Sequence, residues 1–270
     1  MGLTAKILEN ESFFLGTWEY IRQRVRGHRI EAAPIFVVGC GHSGTSVLLR
    51  LLGAHSKIYG VPYESKVFRY PDLKQRLTAK IWNRNTIAHR KHRWVEKTPV
   101  HIRMIDRIFA MYPDARVVFI VRDGRDVAVS IRKRFGDFET GLRRWVDDNR
   151  HGMNWSDDPR VMRIRYEDLV KQYDETMPRI CKFIGEAFEE GLVAYHNAPA
   201  YDLSREVRDP GTEWRKDHAE YRTWQMNQKL FDGSGKWIEE MTEEEKAHFK
   251  ADQDALQMLI DFGYAAGDDW

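Results

Sequence analysis

The chain has 270 residues, 42% of them hydrophobic and 31% charged, with 43 Lys and Arg set against 41 Asp and Glu. These fractions describe one large globular domain, or one domain with a cap, with ample core and exclude a disordered chain, and the near-balanced charge supplies no bulk reason for a nucleic-acid or membrane partner. Two cysteines, Cys40 and Cys181, make no disulfide framework, no apolar run reaches membrane-spanning length, and the first residues hold no signal-peptide core, so a soluble, reduced, cytoplasmic protein is expected.

Residues 1–33 form a separate N-terminal segment ahead of the main domain, 34–270. Phe13, Phe14, Trp18, Ile21 and Val25 recur at helical spacing, with Arg22, Arg24, Arg26 and Arg29 between them. That pattern predicts an amphipathic helix packed on the domain, with a basic helix lying on a membrane surface or a partner as the alternative.

Ile35-Phe36-Val37-Val38 is long enough for one buried strand. A glycine-bearing loop, Gly39-Cys40-Gly41-His42-Ser43-Gly44, follows, and Thr45-Ser46 opens a Leu-rich helix. Strand, glycine loop and helix form an anion cradle, because glycines admit a close backbone approach and the first helical N–H groups lack partners. The loop nearly spells the Walker pattern G-x-x-x-x-G-K-[ST], but Thr45 stands where the lysine belongs. A cradle without that lysine is poorly equipped to act on a β/γ-phosphate.

A short strand ending near Pro62 leaves Glu64 beyond its C-terminal end, where ligands gather in open α/β sheets. Glu64 is therefore a candidate general base or, equally in keeping with a single Glu, a solvated loop carboxylate. From Arg69 to Arg93 eight basic residues face Asp72 alone, with Trp82 and Trp94 within or beside them. The default is a solvated helix face. Overhanging the pocket, segment 65–95 would suit an anionic acceptor or a sugar stacked on tryptophan.

After Trp94–Pro99 a helix is expected with Ile102, Ile105, Ile108 and Phe109 on its apolar side, broken at Pro113-Asp114. Arg116–Val121 is the clearest buried strand in the chain. It ends in Arg122-Asp123-Gly124-Arg125-Asp126 and enters a helix over Val127–Arg134. Asp123 has the superficial look of a Mg²⁺ carboxylate, but the flanking arginines favour an anion. A third unit, Val161–Arg165, leads into Tyr166-Glu167-Asp168-Leu169 and a helix through Ile184. Segment 186–235 is polar and poorly periodic, and reads as loops and short helices closing over the site. Thr242 and Glu245 form a capping box for a terminal helix whose apolar face carries Phe249, Leu256, Leu259 and Ile260. Strands alternating with helices predict an α/β three-layer fold with a central, mostly parallel sheet flanked by helices.

Together these motifs resemble the PAPS-dependent sulfotransferases (PAPS is 3′-phosphoadenosine 5′-phosphosulfate), nearer to the bacterial, carbohydrate and tyrosylprotein branches than to the phenol and steroid enzymes. His42-Ser43-Gly44-Thr45-Ser46-Val47 matches the lysine-free loop R-S-G-T-[TS]-L, and Arg122, Arg125 and Ser130 match R-D-x-R-x-x-x-x-S. Lys97-Thr98-Pro99 lies between these two signatures, and Tyr166-Glu167-Asp168-Leu169 and Gly235-Lys236-Trp237 come after them, in family order. The resemblance implies a P-loop NTPase-like fold and a metal-independent, in-line transfer of a sulfuryl group from PAPS to a hydroxyl or amine of a glycan, glycolipid or small metabolite. It implies that Gly41, His42, Ser43, Gly44, Thr45 and Ser46 hold the 5′-phosphosulfate. Arg122 and Ser130 would bind the 3′-phosphate, with Lys236 closing over that end and Tyr166 near the nucleotide. Glu64 would be the base, and Lys97 would stabilise the transferring group. The family's loop carries arginine where this chain has His42, which leaves three roles open for it: a cation, an acid or base, or a loop filler. The rival functions are a P-loop nucleotide or sugar kinase, and a non-catalytic anion or glycan binder on the same fold. A nucleic-acid partner ranks last.

Overall fold

The computed structural model describes residues 11–197 and 228–270. The elements run α1 (Glu11–Val25), β1 (Ile35–Gly39), α2 (Thr45–Ala54), β2 (Ile58–Gly60), α3 (Asp72–Ala88) and β3 (Arg93–Lys97). A 3-10 stretch, Pro99–Met104, leads into α4 (Ile105–Met111), β4 (Arg116–Val121), α5 (Gly124–Phe135), α6 (Phe138–Met153) and β5 (Val161–Arg165). Then come α7 (Tyr166–Lys171), α8 (Tyr173–Ile184), α9 (Trp237–Glu240), α10 (Glu243–Ala251) and α11 (Gln253–Asp261).

The five strands form one sheet in the order β2-β3-β1-β4-β5, every neighbouring pair parallel. Alternation along β1 divides the core. Phe36, Val38 and Cys40 pack with Trp94, Ile105, Trp145, Phe249 and Leu259 on one face. Ile35 and Val37 pack with Leu48 and Leu52 of α2 and Met177, Ile180 and Ile184 of α8 on the other. This is the expected three-layer α/β arrangement. From β1 the chain turns towards β2 and β3 on one side, then crosses to β4 and β5 on the other. The switch lies beside β1, and the carboxyl ends of β3, β1 and β4 line one edge there.

β3 carries no strand signal of its own, because Arg93, Glu96 and Lys97 interrupt the apolar pattern, yet all five residues are buried. Each charge has a partner: the Arg93 guanidinium, for example, meets the Ile184 carbonyl and the Glu186 carboxylate. Residues 138–153, where no element is expected from the sequence, form α6, whose Leu142, Trp145 and Val146 fill the core. The helix expected from Tyr166 through Ile184 divides at Gln172, whose φ of −126° and ψ of 46° are not helical. The terminal helix divides too, at Asp252, whose side chain accepts from the Ala255 N–H and starts α11 afresh. The capping box at Thr242 and Glu245 forms as expected.

Two expectations are corrected. Trp82 and Trp94 are core residues, 1% and 2% exposed, with ring centroids 4.8 Å apart. Their indole N–H groups are spent on Tyr63 and Asn83, so neither offers a stacking surface to a sugar. In α1 the apolar stripe points the other way from the one expected. Trp18 and Val25 are 73% and 84% exposed, whereas Gln23 is fully buried where the helix meets α3. Gln23 is bonded within the helix to Glu19, and Glu19 faces Arg90 at the end of α3. The side chains of Phe13 and Phe14 lie outside the described residues. Of segment 186–235, the 3-10 stretch Glu190–Asn197 packs Leu192 and Tyr195 onto the α2 face of the core, and Arg50 donates to the Tyr195 carbonyl. Residues 198–227 lie outside the described part. No helix among the described residues is long and apolar enough to cross a membrane.

Candidate active site

The loop after β1 is held open by backbone geometry. Gly44 sits at φ 89°, and a Cβ there would come within 2.4 Å of the Tyr166 ring, so glycine is required on both counts. His42 adopts φ 71°, an uncommon left-handed conformation for a non-glycine residue. It is fixed there from two sides: Nδ1 shares a 2.7 Å hydrogen bond with Ser130 Oγ, and its carbonyl accepts from Arg122 Nη1 at 3.1 Å. No side chain caps α2, so its first N–H groups open onto the loop. Ser43 is fully buried and its hydroxyl has no hydrogen-bond partner among the described residues. Thr45 is buried at the first turn of α2, with Ser46 half-buried beside it. An unsatisfied hydroxyl and open N–H groups around a glycine loop fit an anionic phosphate or sulfate group.

The exit of β4 adds fixed charge. Arg122 lies over the Tyr166 ring, 4.7 Å from its centroid, and Asp126 is 3.4 Å from its guanidinium. Buried Asp126 accepts from the N–H groups of Gly235 and Trp237 at 2.8 and 3.0 Å. Tyr166 hydroxyl accepts from Gly233 N–H and donates to the Phe231 carbonyl. Segment 231–237 is thereby strapped across Arg122 and Tyr166. Lys236 rides on the strap, exposed at the start of α9, and makes no ion pair among the described residues. Asp123 and Arg125 turn inward instead. Asp123 caps α5 and pairs with Arg125 at 2.7 Å, and Arg125 stacks on Trp237 and Trp270. Burial pushes the Asp123 carboxyl up, against the pull of Arg125, and both residues serve the scaffold.

The exit of β3 has a different design. Lys97, 2% exposed, donates from Nζ to Glu64 Oε1 at 2.6 Å. Beside it Glu96, fully buried, accepts from Ser65 Oγ at 2.8 Å, from Thr98 Oγ1, and from or with His101 Nδ1 at 3.1 Å. Thr98 Oγ1 in turn accepts from Lys66 N–H. One buried carboxylate therefore ties the segment that carries Glu64 to the strand that carries Lys97. No sequence motif marks Glu96. Its sole signal is a carboxylate directly after an apolar pair, Trp94-Val95, and that is easily taken for a loop.

Of the residues expected to act together, His42, Gly44, Arg122, Ser130 and Tyr166 form one contact cluster, and Glu64 with Lys97 forms a second on the neighbouring strand exit. Along one sheet edge the arrangement offers backbone donors, a guanidinium, and a lysine–carboxylate pair able to accept a proton beside developing negative charge.

Residues 64–190 match the protein-family model described as "Sulfotransferase family". The chain is 23% identical over 208 residues to the protein-tyrosine sulfotransferase of Drosophila melanogaster, covering 63% of this chain and 42% of that one. It is 25% identical over 215 residues to an uncharacterized protein of Aquifex aeolicus, covering 65% and 28%. The chain thus spans less than half the length of the curated relatives it matches. Among solved structures, the sulfotransferase domain from the curacin biosynthetic pathway superimposes with TM-score 0.55 at 17% identity, over 87% of this chain and 99% of that one. A mouse sulfotransferase solved with PAP gives TM-score 0.56 at 15% identity, over 93% and 95%. At such identities the structural likeness establishes the fold.

Proposed function

We propose, from the sulfotransferase family model that residues 64–190 match, that the chain moves a sulfuryl group from PAPS to a hydroxyl or amine of a glycan, glycolipid or small metabolite. The observation that carries the proposal is the sharing of one sheet edge by three parts: a lysine-free anion cradle, the Arg122–Ser130–Tyr166 cluster, and the Glu64–Lys97 pair.

PAPS, when bound, supplies an activated sulfuryl group on a phosphate leaving group. The chain's own residues do the rest. The loop from Gly41 to Ser46 and the N-terminus of α2 receive the 5′ end of the donor with N–H groups already in place, so no reorganisation is needed as charge develops. Arg122 grips the 3′-phosphate, aided by Ser130, because a planar guanidinium can bind phosphate bidentately. Lys236, brought alongside by the strap, closes over the same end. Glu64 Oε1 takes the proton from the acceptor, and Lys97 sets a positive charge beside it. His42 links the two ends through its bond to Ser130. Positioned donors and an ion pair can stabilise a sulfuryl transfer without a metal ion.

The test is calorimetric titration of the purified protein with 3′-phosphoadenosine 5′-phosphate (PAP) in EDTA, beside ATP, followed by transfer from labelled PAPS to a panel of glycans, hydroxylated metabolites, amines and tyrosyl peptides. Metal-free binding that prefers the 3′-phosphorylated nucleotide, with labelled product from at least one acceptor, is expected. Binding of ATP alone, restored by Mg²⁺, would replace this function with a kinase. PAP binding that never yields product on any acceptor class would leave a binding protein.

A further inference from the structure

α6 approaches the loop along the face opposite α2, and its Arg144 reaches it. A Cβ built on Gly41 would lie 2.8 Å from Arg144 Nη2 and 3.2 Å from Cζ, so the guanidinium rests against the backbone of the loop in space that only glycine leaves free. Arg144 is held by Asp148 one turn further along α6, with Nε 3.5 Å from Oδ2. Asp148 is 1% exposed and also takes Arg103 Nε at 2.5 Å, from the 3-10 stretch that follows Lys97 and Thr98. One buried carboxylate thus orients two guanidinium groups on the β3 side of the loop and leaves a net positive charge. Cys40, between them, does not offset it, because burial pushes its thiol well above its ordinary range and keeps it neutral. The Arg144 side chain is 37% exposed, and its terminal nitrogens make no hydrogen bond among the described residues.

The loop itself offers His42, whose charge depends on pH, whereas a guanidinium is always charged. We propose that Arg144 binds the 5′-phosphosulfate end of the donor, supplying from α6 the fixed positive charge that the loop lacks at His42, with Asp148 as its positioning residue. The assignment rests on the PAPS reading above. It separates the two ends of the nucleotide: Arg144 acts on the 5′ end and Arg122 on the 3′ end.

The experiment is titration of wild type, Arg144→Ala, Arg144→Lys and Arg122→Ala with PAP and with adenosine 3′-phosphate, which has no 5′ group, all in EDTA and alongside kcat and KM. Arg144→Ala should lose about 10–100-fold in PAP affinity, the loss expected of a charge-assisted contact, and keep wild-type affinity for adenosine 3′-phosphate. Arg144→Lys should recover part of the loss, and Arg122→Ala should weaken both ligands. If Arg144→Ala binds PAP and turns over like wild type, the assignment is wrong. It is equally wrong if both nucleotides weaken together, since Arg144 would then only brace the loop. Failure of the wild type to bind PAP would instead remove the sulfotransferase function on which the assignment stands.

Discussion

The exits of β4 and β3 are neighbours across β1, and both bury charge, but in opposite ways. At β4 the sequence alternates cation and anion, and the structure sorts them: Asp123 and Arg125 turn into the scaffold, while Arg122 stays at the edge under a strap of backbone N–H groups. At β3 a buried carboxylate, Glu96, is entirely consumed by Ser65, Thr98 and His101, and the adjacent Lys97 is turned onto Glu64. The contrast teaches that a charged strand end becomes available for chemistry when a second charge nearby absorbs the structural duty. Asp123–Arg125 takes the scaffold role beside Arg122, and Glu96 takes it beside the Lys97–Glu64 pair.

Glu64→Gln should break the comparison most sharply. Loss of the base is expected to lower kcat roughly 10²–10⁴-fold while PAP affinity stays within a few-fold, measured by steady-state kinetics and calorimetry on one preparation. A parallel collapse of binding would mean that the two exits form a single unit. Arg122→Ala comes next, with PAP affinity down about 10–100-fold. Arg122 donates to the His42 and Gly233 carbonyls, so its removal should also speed amide exchange across 231–237, read by hydrogen–deuterium exchange; a strap that exchanges as in wild type would dissociate it from Arg122.

Glu96→Ala tests the supporting role at β3. It orphans Ser65, Thr98 and His101 and should cost about 1–3 kcal/mol of stability, seen in urea midpoints. Turnover should fall while PAP affinity holds; unchanged turnover would show that Glu64 keeps its place unaided.

The smallest effect concerns Glu167, which accepts from the Asp123 N–H and the Tyr264 hydroxyl at 3.1 and 2.6 Å. Burial pushes its carboxyl above the ordinary value. A carboxylate with a raised folded-state pKa costs stability as pH climbs from the unfolded value through the folded one, because ionising it inside the protein is disfavoured. Glu167→Gln carries no such cost. Relative to wild type it should therefore gain stability between about pH 4 and about pH 7, measured by urea denaturation at both. A constant difference across that range would show that the carboxyl titrates alike in the folded and unfolded chain.

The strands that could be read beforehand, β1 and β4, are those with uninterrupted Val, Ile and Phe, since burial on both faces leaves no room for alternation. The glycine loop was legible for the same kind of reason, because Gly44 records a backbone conformation that other residues rarely adopt. β3 and α6 were not. In β3 the buried polar groups of Arg93, Glu96 and Lys97 are satisfied by residues far away in sequence, and no local pattern shows that satisfaction. In α6 the spacing of Leu142, Trp145 and Val146 was available as a helix signal, but nothing local says that Arg144 meets Gly41 about a hundred positions earlier.

The sequence by itself therefore determined the class of fold, the glycine loop and the cationic strand end, because each rests on a short stretch whose chemistry is complete within a few residues. Tertiary structure alone decided which charges serve the scaffold and which face the site. It turned Trp82 and Trp94 into core, turned the stripe of α1 outward, and brought Glu64 to Lys97 and Arg144 to the loop. Charge pairing and burial are long-range properties, settled by which partners the sheet order sets side by side.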